Sequence, residues 1–264
     1  MSMDKKLLEE HAQIYIREIM AERLCREGFV SRTGEGFHWY RVVNGDVLQA
    51  VYFYTRWAAL PMFMAIGYGC HPLFIAPEYP RGIHMPSMLR SLEAVNPGKQ
   101  LAKQSGNTVY AANAAITCPD DAFQGADILQ SILDQLNEIR TVEQCYGVHK
   151  QRYLKTAELL NLAKEEMYHN LSADFMDEAV FLGDQELYPY CAAHILKELA
   201  RYEKVQGTRK MWNIEKYEWN ALEHLKEAII DQKRDEHLAY LQERKEANIR
   251  QLKRRVKGCI ESSR

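Results

Sequence analysis

Apolar positions along the chain follow two periods, one of helices and one of strands, and they change over near the middle. In residues 5–27, Leu8, Ala12, Tyr15, Ile16, Ile19 and Leu24 fall close to a 3.6-residue repeat, which predicts a helix. Gly28 ends it, because glycine takes the left-handed C-terminal position without a steric penalty. The β-prone run 37–43, then Asn44-Gly45, then 46–54 predicts a hairpin. A type I′ turn needs positive φ at both central residues, and Asn-Gly supplies them. Further strands are expected at 62–68 and 108–117. A helix is expected at 121–139, with Ile128, Leu129, Ile132, Leu133, Leu136 and Ile139 on one stripe.

After Gly147, which we read as a break, only helical spacing remains. Leu154, Ala157, Leu160, Ala163, Met167 and Leu171 predict an amphipathic helix to about Asn170. A short helix runs from Asp174 to Gly183, and another holds Pro189 in its first turn and reaches about Lys204. Two more cover 214–229 and 232–257, the last with its pattern broken at Lys245 and Asn248. The predicted fold class is α+β. Residues 1–145 form an N-terminal helix, a four-stranded antiparallel sheet and a helix, and residues 146–264 form an all-α helical array that packs on the sheet or stands alone.

With a two-residue loop, Val43 pairs with Asp46, and Trp39, Arg41, Tyr52 and Tyr54 share one face of the hairpin with Leu48 and Ala50. That face is a candidate base-stacking platform. The alternative is a sheet face covered by the C-terminal helices.

The helix ending Arg26-Glu27-Gly28-Phe29 and the strands at 37–41, 47–53 and 65–69 (the last Ala-Ile-Gly-Tyr-Gly) carry a likeness, as does the segment 136–143. Together they resemble an uncharacterised bacterial domain-of-unknown-function family, over about residues 5–145. The resemblance implies the helix–meander–helix fold and a bacterial or phage-related setting. That family has no established activity or catalytic residues, so none is carried over.

The connection 70–106 departs from the family's compact pattern. It holds five of the chain's eight prolines, yet its apolar content is too high for a solvated linker. We expect it to pack across the sheet. It contains Cys70, His71, Glu78, Arg81 and His84, a candidate pocket or lid in which Cys70 is a nucleophile with a histidine base, or His71, His84 and Glu78 bind a metal. Adjacent strand residues point to opposite faces, which argues against the first arrangement, and no motif supports the second. Glu166 and His169 match the Glu-x-x-His spacing of di-iron bundles. The chain offers no second copy. No metal and no cofactor are therefore expected.

Composition changes this picture little. The chain has 264 residues, 47% hydrophobic and 27% charged, with a net charge of −2, which excludes a disordered chain and a uniformly basic one. The balance hides a gradient: residues 244–264 carry +6, and Arg250, Lys253, Arg254, Arg255 and Lys257 are candidate contacts to an anionic partner such as nucleic acid. Basic residues near a helix C-terminus also complement its dipole, which favours a structural role. Six scattered cysteines without a CxxC pair read as reduced thiols in a cytosolic protein. No secretory signal and no apolar run of membrane-spanning length is readable. The leading expectation is a cytoplasmic, non-enzymatic protein-binding module of adaptor, immunity or mobile-element accessory type. Alternatives are an enzyme with its site under residues 70–106 and nucleic-acid binding through the tail. A homodimer through the apolar seam of the last helix is a further expectation.

Overall fold

The structure is a computed structural model that describes residues 20–31, 38–56, 63–75, 112–115, 121–160 and 171–256. It is an α+β protein with an all-α C-terminal region. The described elements are α1 (Ala21–Arg26), β1 (Val30–Ser31), β2 (His38–Val43), β3 (Val47–Arg56), β4 (Phe63–Pro72), β5 (Ala112–Ala115), α2 (Asp121–Asn137), α3 (Val142–Leu160), α4 (Ala173–Leu182), α5 (Tyr188–Thr208), α6 (Asn213–Ile229) and α7 (Arg234–Arg255). A 3₁₀ turn at Gln185–Leu187 links α4 to α5. The chain divides into two compact units. One comprises residues 1–71, 85–141 and 250–264, and the other 72–84 and 142–249.

In the first unit the sheet follows chain order, β1-β2-β3-β4-β5, with antiparallel pairing at β1/β2, β2/β3 and β4/β5. The four expected strands are present, and the two-residue β1 adds a fifth. Asn44 and Gly45 both take positive φ, 51° and 70°, and the Asp46 amide donates to the Val43 carbonyl at 3.1 Å, as the Asn-Gly turn requires. The pairing beyond the turn differs from the expectation. Val43 lies opposite Val47, so Asp46 is an extra residue in the manner of a bulge, and every later pair moves by one. Arg41 is therefore opposite Gln49, and Trp39 opposite Val51. Tyr52 is opposite His38, in the alternate set, and the four proposed platform residues do not share a face.

The chemistry of the hairpin explains why Arg41 is inside. Trp39 and Arg41 are both buried. Arg41 Nε donates to Gln49 Oε1 at 2.7 Å, its Nη1 to the Glu27 carbonyl at 2.8 Å and its Nη2 to Asn137 Oδ1 at 2.6 Å, with the guanidinium 4.5 Å over the Phe29 ring. Gln49 is fully buried, and its amide donates to the Leu136 and Ile139 carbonyls at 2.7 and 2.6 Å. These carbonyls lie in the last turn of α2 and just beyond its end; the Leu136 carbonyl also accepts from the Ile139 amide at 3.1 Å. The pair thus fastens α1, the hairpin and α2 around Leu24, Val47, Val51, Leu133 and Leu136.

In the second unit, helices enclose Tyr146, Phe175, Met176, Val180, Ile195, Leu222 and Leu225. Gly147 does not break the chain; it lies inside α3, where a Cβ would meet open space. The helix containing Pro189 likewise continues through Gly207 to Thr208. Ser172 caps α4 by accepting from the Phe175 amide at 3.3 Å. Gly183 ends α4 at φ 72°, where Arg234 comes close enough to sit 3.4 Å from a would-be Cβ. From there Arg234 donates to the carbonyls of Val180 and Phe181 at 2.8 and 2.7 Å. The described start of the proline-rich connection is buried in this unit. Phe74 stacks on Phe181 at 4.7 Å, and Asn248 donates to the Leu73 and Ile75 carbonyls, both at 2.8 Å. The interruption of the apolar pattern at Asn248 serves that contact.

Candidate functional site

The expected sites are placed as follows. Cys70 and His71 are buried, at consecutive positions of β4 that point to opposite faces. Glu78, Arg81 and His84 lie outside the described residues, as do Lys257 and the Glu166/His169 pair. Side chains of Tyr52 and Tyr54 are also outside the description. In the basic tail, Arg250, Lys253 and Arg254 are exposed and Arg255 is partly buried. Arg244, counted with that charge, is not part of any exposed patch: it forms a buried ion pair. Leu241, Leu252 and Val256 are buried within the single chain, so the apolar seam expected to carry a dimer is already covered.

Two arrangements in the helical unit were not anticipated. The first is buried. Asp177 and Glu178 are adjacent on α4 and each is 1% exposed. Consecutive helical residues are about 100° apart, so they reach different neighbours. Asp177 Oδ1 meets His237 Nε2 at 2.9 Å, and its Oδ2 accepts from Arg244 Nη1 at 2.7 Å, both partners projecting from α7. His237 and Arg244 are seven residues apart, two helical turns, which puts them on one stripe. Burial alone would raise the Asp177 carboxyl, but Arg244 and His237 outweigh it and hold the group below its ordinary range. Tyr217 and Tyr240 also face Arg244, and burial pushes the Tyr217 hydroxyl up to about 12.

Glu178 turns the other way. Its Oε2 and Oε1 lie 2.8 and 2.9 Å from His149 Nδ1 on α3, and His149 Nε2 lies 3.9 Å from Cys145 Sγ one turn earlier. Burial pushes Glu178 up from its ordinary range, with the negative Asp177 adding to the effect and His149 opposing it. Thiol, imidazole and carboxylate stand in the order of a nucleophile, its base and an orienting group. The thiol, however, is 0% exposed and the imidazole 7%, so a substrate has no approach to the pair. The arrangement is a sealed relay, not an open catalytic site. A further buried-edge pair lies alongside, where Tyr146 Oη and Lys150 Nζ both donate to Asp184 Oδ2 at 2.6 and 2.5 Å.

The second arrangement is exposed. A cleft of about 700 Å³ opens where α5 passes into α6, lined by Arg209, Lys210, Met211, Lys216, Trp219 and Asn220 among others. No acidic side chain is among its described lining residues. Trp212, the N-cap of α6 and the neighbour in sequence of the lining residue Met211, does not itself line the cleft and is 67% exposed. It is nonetheless held in place. Its amide donates to Glu215 Oε2 at 2.8 Å, and the same carboxylate receives Arg209 Nη1 and Nη2 at 3.0 and 2.6 Å. Arg209 in turn lies 4.7 Å from the Trp212 ring. The signal for this site is present in the sequence as Arg-Lys-Met-Trp at 209–212, a tryptophan in a basic loop between two helices.

No protein-family model matches the chain, and no curated protein or solved structure matches it significantly.

Proposed function

We propose that this chain is a protein-binding module whose helical unit takes an acidic segment of a partner protein into the α5–α6 cleft. The observation that supports it is Trp212: a large aromatic side chain left 67% exposed, yet oriented through a carboxylate that binds both its own amide and Arg209. Tryptophan and arginine are enriched in binding hot spots, and tryptophan buries a large area with only two rotors to immobilise. The Arg209 charge is balanced by Glu215, so the lining cations Lys210 and Lys216 set the sign of the occupant, which is negative. The sealed Cys145–His149–Glu178 relay supports a binding role over a catalytic one. The same reading places the protein in a bacterial cytosol as an adaptor-like component, following the sequence resemblance.

The test is a fluorescence-anisotropy titration of the full chain with a labelled peptide of aspartate and glutamate flanking one phenylalanine. A lysine-rich analogue and a single-stranded oligonucleotide serve as comparisons. The acidic peptide should bind, and Trp212→Ala should weaken it by about 30-fold, the equivalent of a 2 kcal/mol hot spot. Lys216→Glu should weaken it further as salt falls. Equal binding of the lysine-rich peptide, binding untouched by Trp212→Ala, or preference for the oligonucleotide would each overturn the reading.

A further inference from the structure

We propose that Cys145 and His149 are ligands of a thiophilic metal cation such as Zn²⁺, with Glu178 as the carboxylate that orients the imidazole. Nothing in the binding role requires this, and it rests on a separate part of the molecule. Cys145 and His149 are four residues apart on α3, so both project from one face of the helix. Their ligand atoms are 3.9 Å apart. With bonds of ~2.3 Å to sulfur and ~2.0–2.1 Å to nitrogen, a cation between them makes an S–metal–N angle of about 125°. A closing movement of a few tenths of an ångström brings that to a tetrahedral angle.

Two further features point the same way. Metal-bound histidines typically donate their other ring N–H to a carboxylate, which fixes the tautomer and raises ligand basicity. Glu178 occupies that position on His149 Nδ1 at 2.8 Å, leaving the Nε2 lone pair toward Cys145. The charge balance is the second feature. Asp177 is neutralised by Arg244, whereas Glu178, equally buried, has among the described residues no arginine or lysine on it. A divalent cation on the Cys145 thiolate and His149 would add positive charge beside this carboxylate, whose ion-pair partner is His149. On binding, the thiol proton leaves to solvent, the sulfur lone pair enters the metal bond, and no electron transfer is involved. Water or other side chains complete the coordination.

The full-length, untagged chain is stripped with a chelator, dialysed and titrated with Co²⁺ and then Zn²⁺. One Co²⁺ per chain should bind with a thiolate-to-cobalt charge-transfer absorption, and Zn²⁺ should displace it. X-ray absorption at the zinc edge should count at least one sulfur and one imidazole ligand. Cys145→Ser should abolish the charge-transfer band, Cys191→Ser should leave it intact, and Glu178→Gln should weaken affinity by about 10–100-fold while keeping the band. Circular dichroism checks each variant's fold; if Cys145→Ser does not fold, His149→Gln must lose the imidazole signal instead. A stripped wild-type chain that takes up no cation, or a band that survives Cys145→Ser, would overturn the proposal.

Discussion

Asp177 shows how a single buried charge is tolerated. Taking a carboxylate out of water costs several kcal/mol, and only a well-placed counter-charge with full hydrogen bonding offsets it. Arg244 and His237, 67 and 60 residues further along the chain on α7, provide the counter-charge and one hydrogen bond to each carboxylate oxygen, although Arg244 Nε and His237 Nδ1 stay buried without a hydrogen bond among the described residues. Replacing Arg244 with alanine should therefore destabilise the helical unit by about 3–5 kcal/mol, since the carboxylate keeps its burial and loses its main partner. The double change Asp177→Leu/Arg244→Met should cost far less than the single change. Urea-unfolding midpoints for the variants measure both. The same pair sets an acid limit. Asp177 titrates below its ordinary value of 3.8 when folded, so the unfolded state binds the proton first. Stability from this group is fully present above its unfolded pKa and drains away as pH falls through the folded one. Asp177→Asn should flatten the fall in melting temperature below about pH 4; an unchanged acid slope contradicts the assignment.

Elements are joined here mainly by side chains that satisfy helix ends. Gly183 is required by its φ of 72° and by Arg234, which occupies the space beside it while capping α4. Gly183→Ala should cost about 1–2 kcal/mol from the left-handed backbone alone. In the first unit, Gln49→Leu keeps the volume but removes the donors to the Leu136 and Ile139 carbonyls and the acceptor of Arg41 Nε, a loss of roughly 1–3 kcal/mol. Thermal unfolding reads both changes, and Gln49→Glu, which keeps an acceptor for Arg41 Nε but loses both donors, should still melt below the wild type. At this scale the chain's pattern was informative. Strand positions, the Asn44-Gly45 turn, Gly183 and Pro189 were all legible, because each depends on local backbone preference. Local signals failed where an extra residue costs little locally. Asp46 shifts the hairpin register by one, and nothing in the residues around the turn distinguishes it from the tighter loop. Gly147 and Gly207 were over-read, since a glycine inside a helix lowers its propensity by only about 1 kcal/mol, which packing readily overrides.

For the whole molecule, the candidate sites were less legible than the fold, and the reason is physical. Asp177 and Glu178 sit in an α4 sequence that looks like a helix with an acidic surface stripe; only partners on α3 and α7 make them interior. Arg244 looked like tail charge for the same reason. Cys145 and His149 went unread: the sequence holds only their four-residue spacing, and the carboxylate that gives the pair meaning comes from another helix. The Trp212 loop was visible as composition, but its exposure and the Glu215 brace are properties of the folded chain. Interior and surface separate: buried charge clusters organise the helical unit, and the proposed peptide-binding cleft lies at the exposed α5–α6 end.

The most direct measurement is a backbone-amide NMR titration of the isotopically labelled full chain with the acidic peptide. The account expects shifts concentrated in residues 206–220 and in the indole N–H of Trp212, diminishing as ionic strength rises. Shifts confined to residues 250–256, or none within 206–220 at saturating peptide, would contradict it.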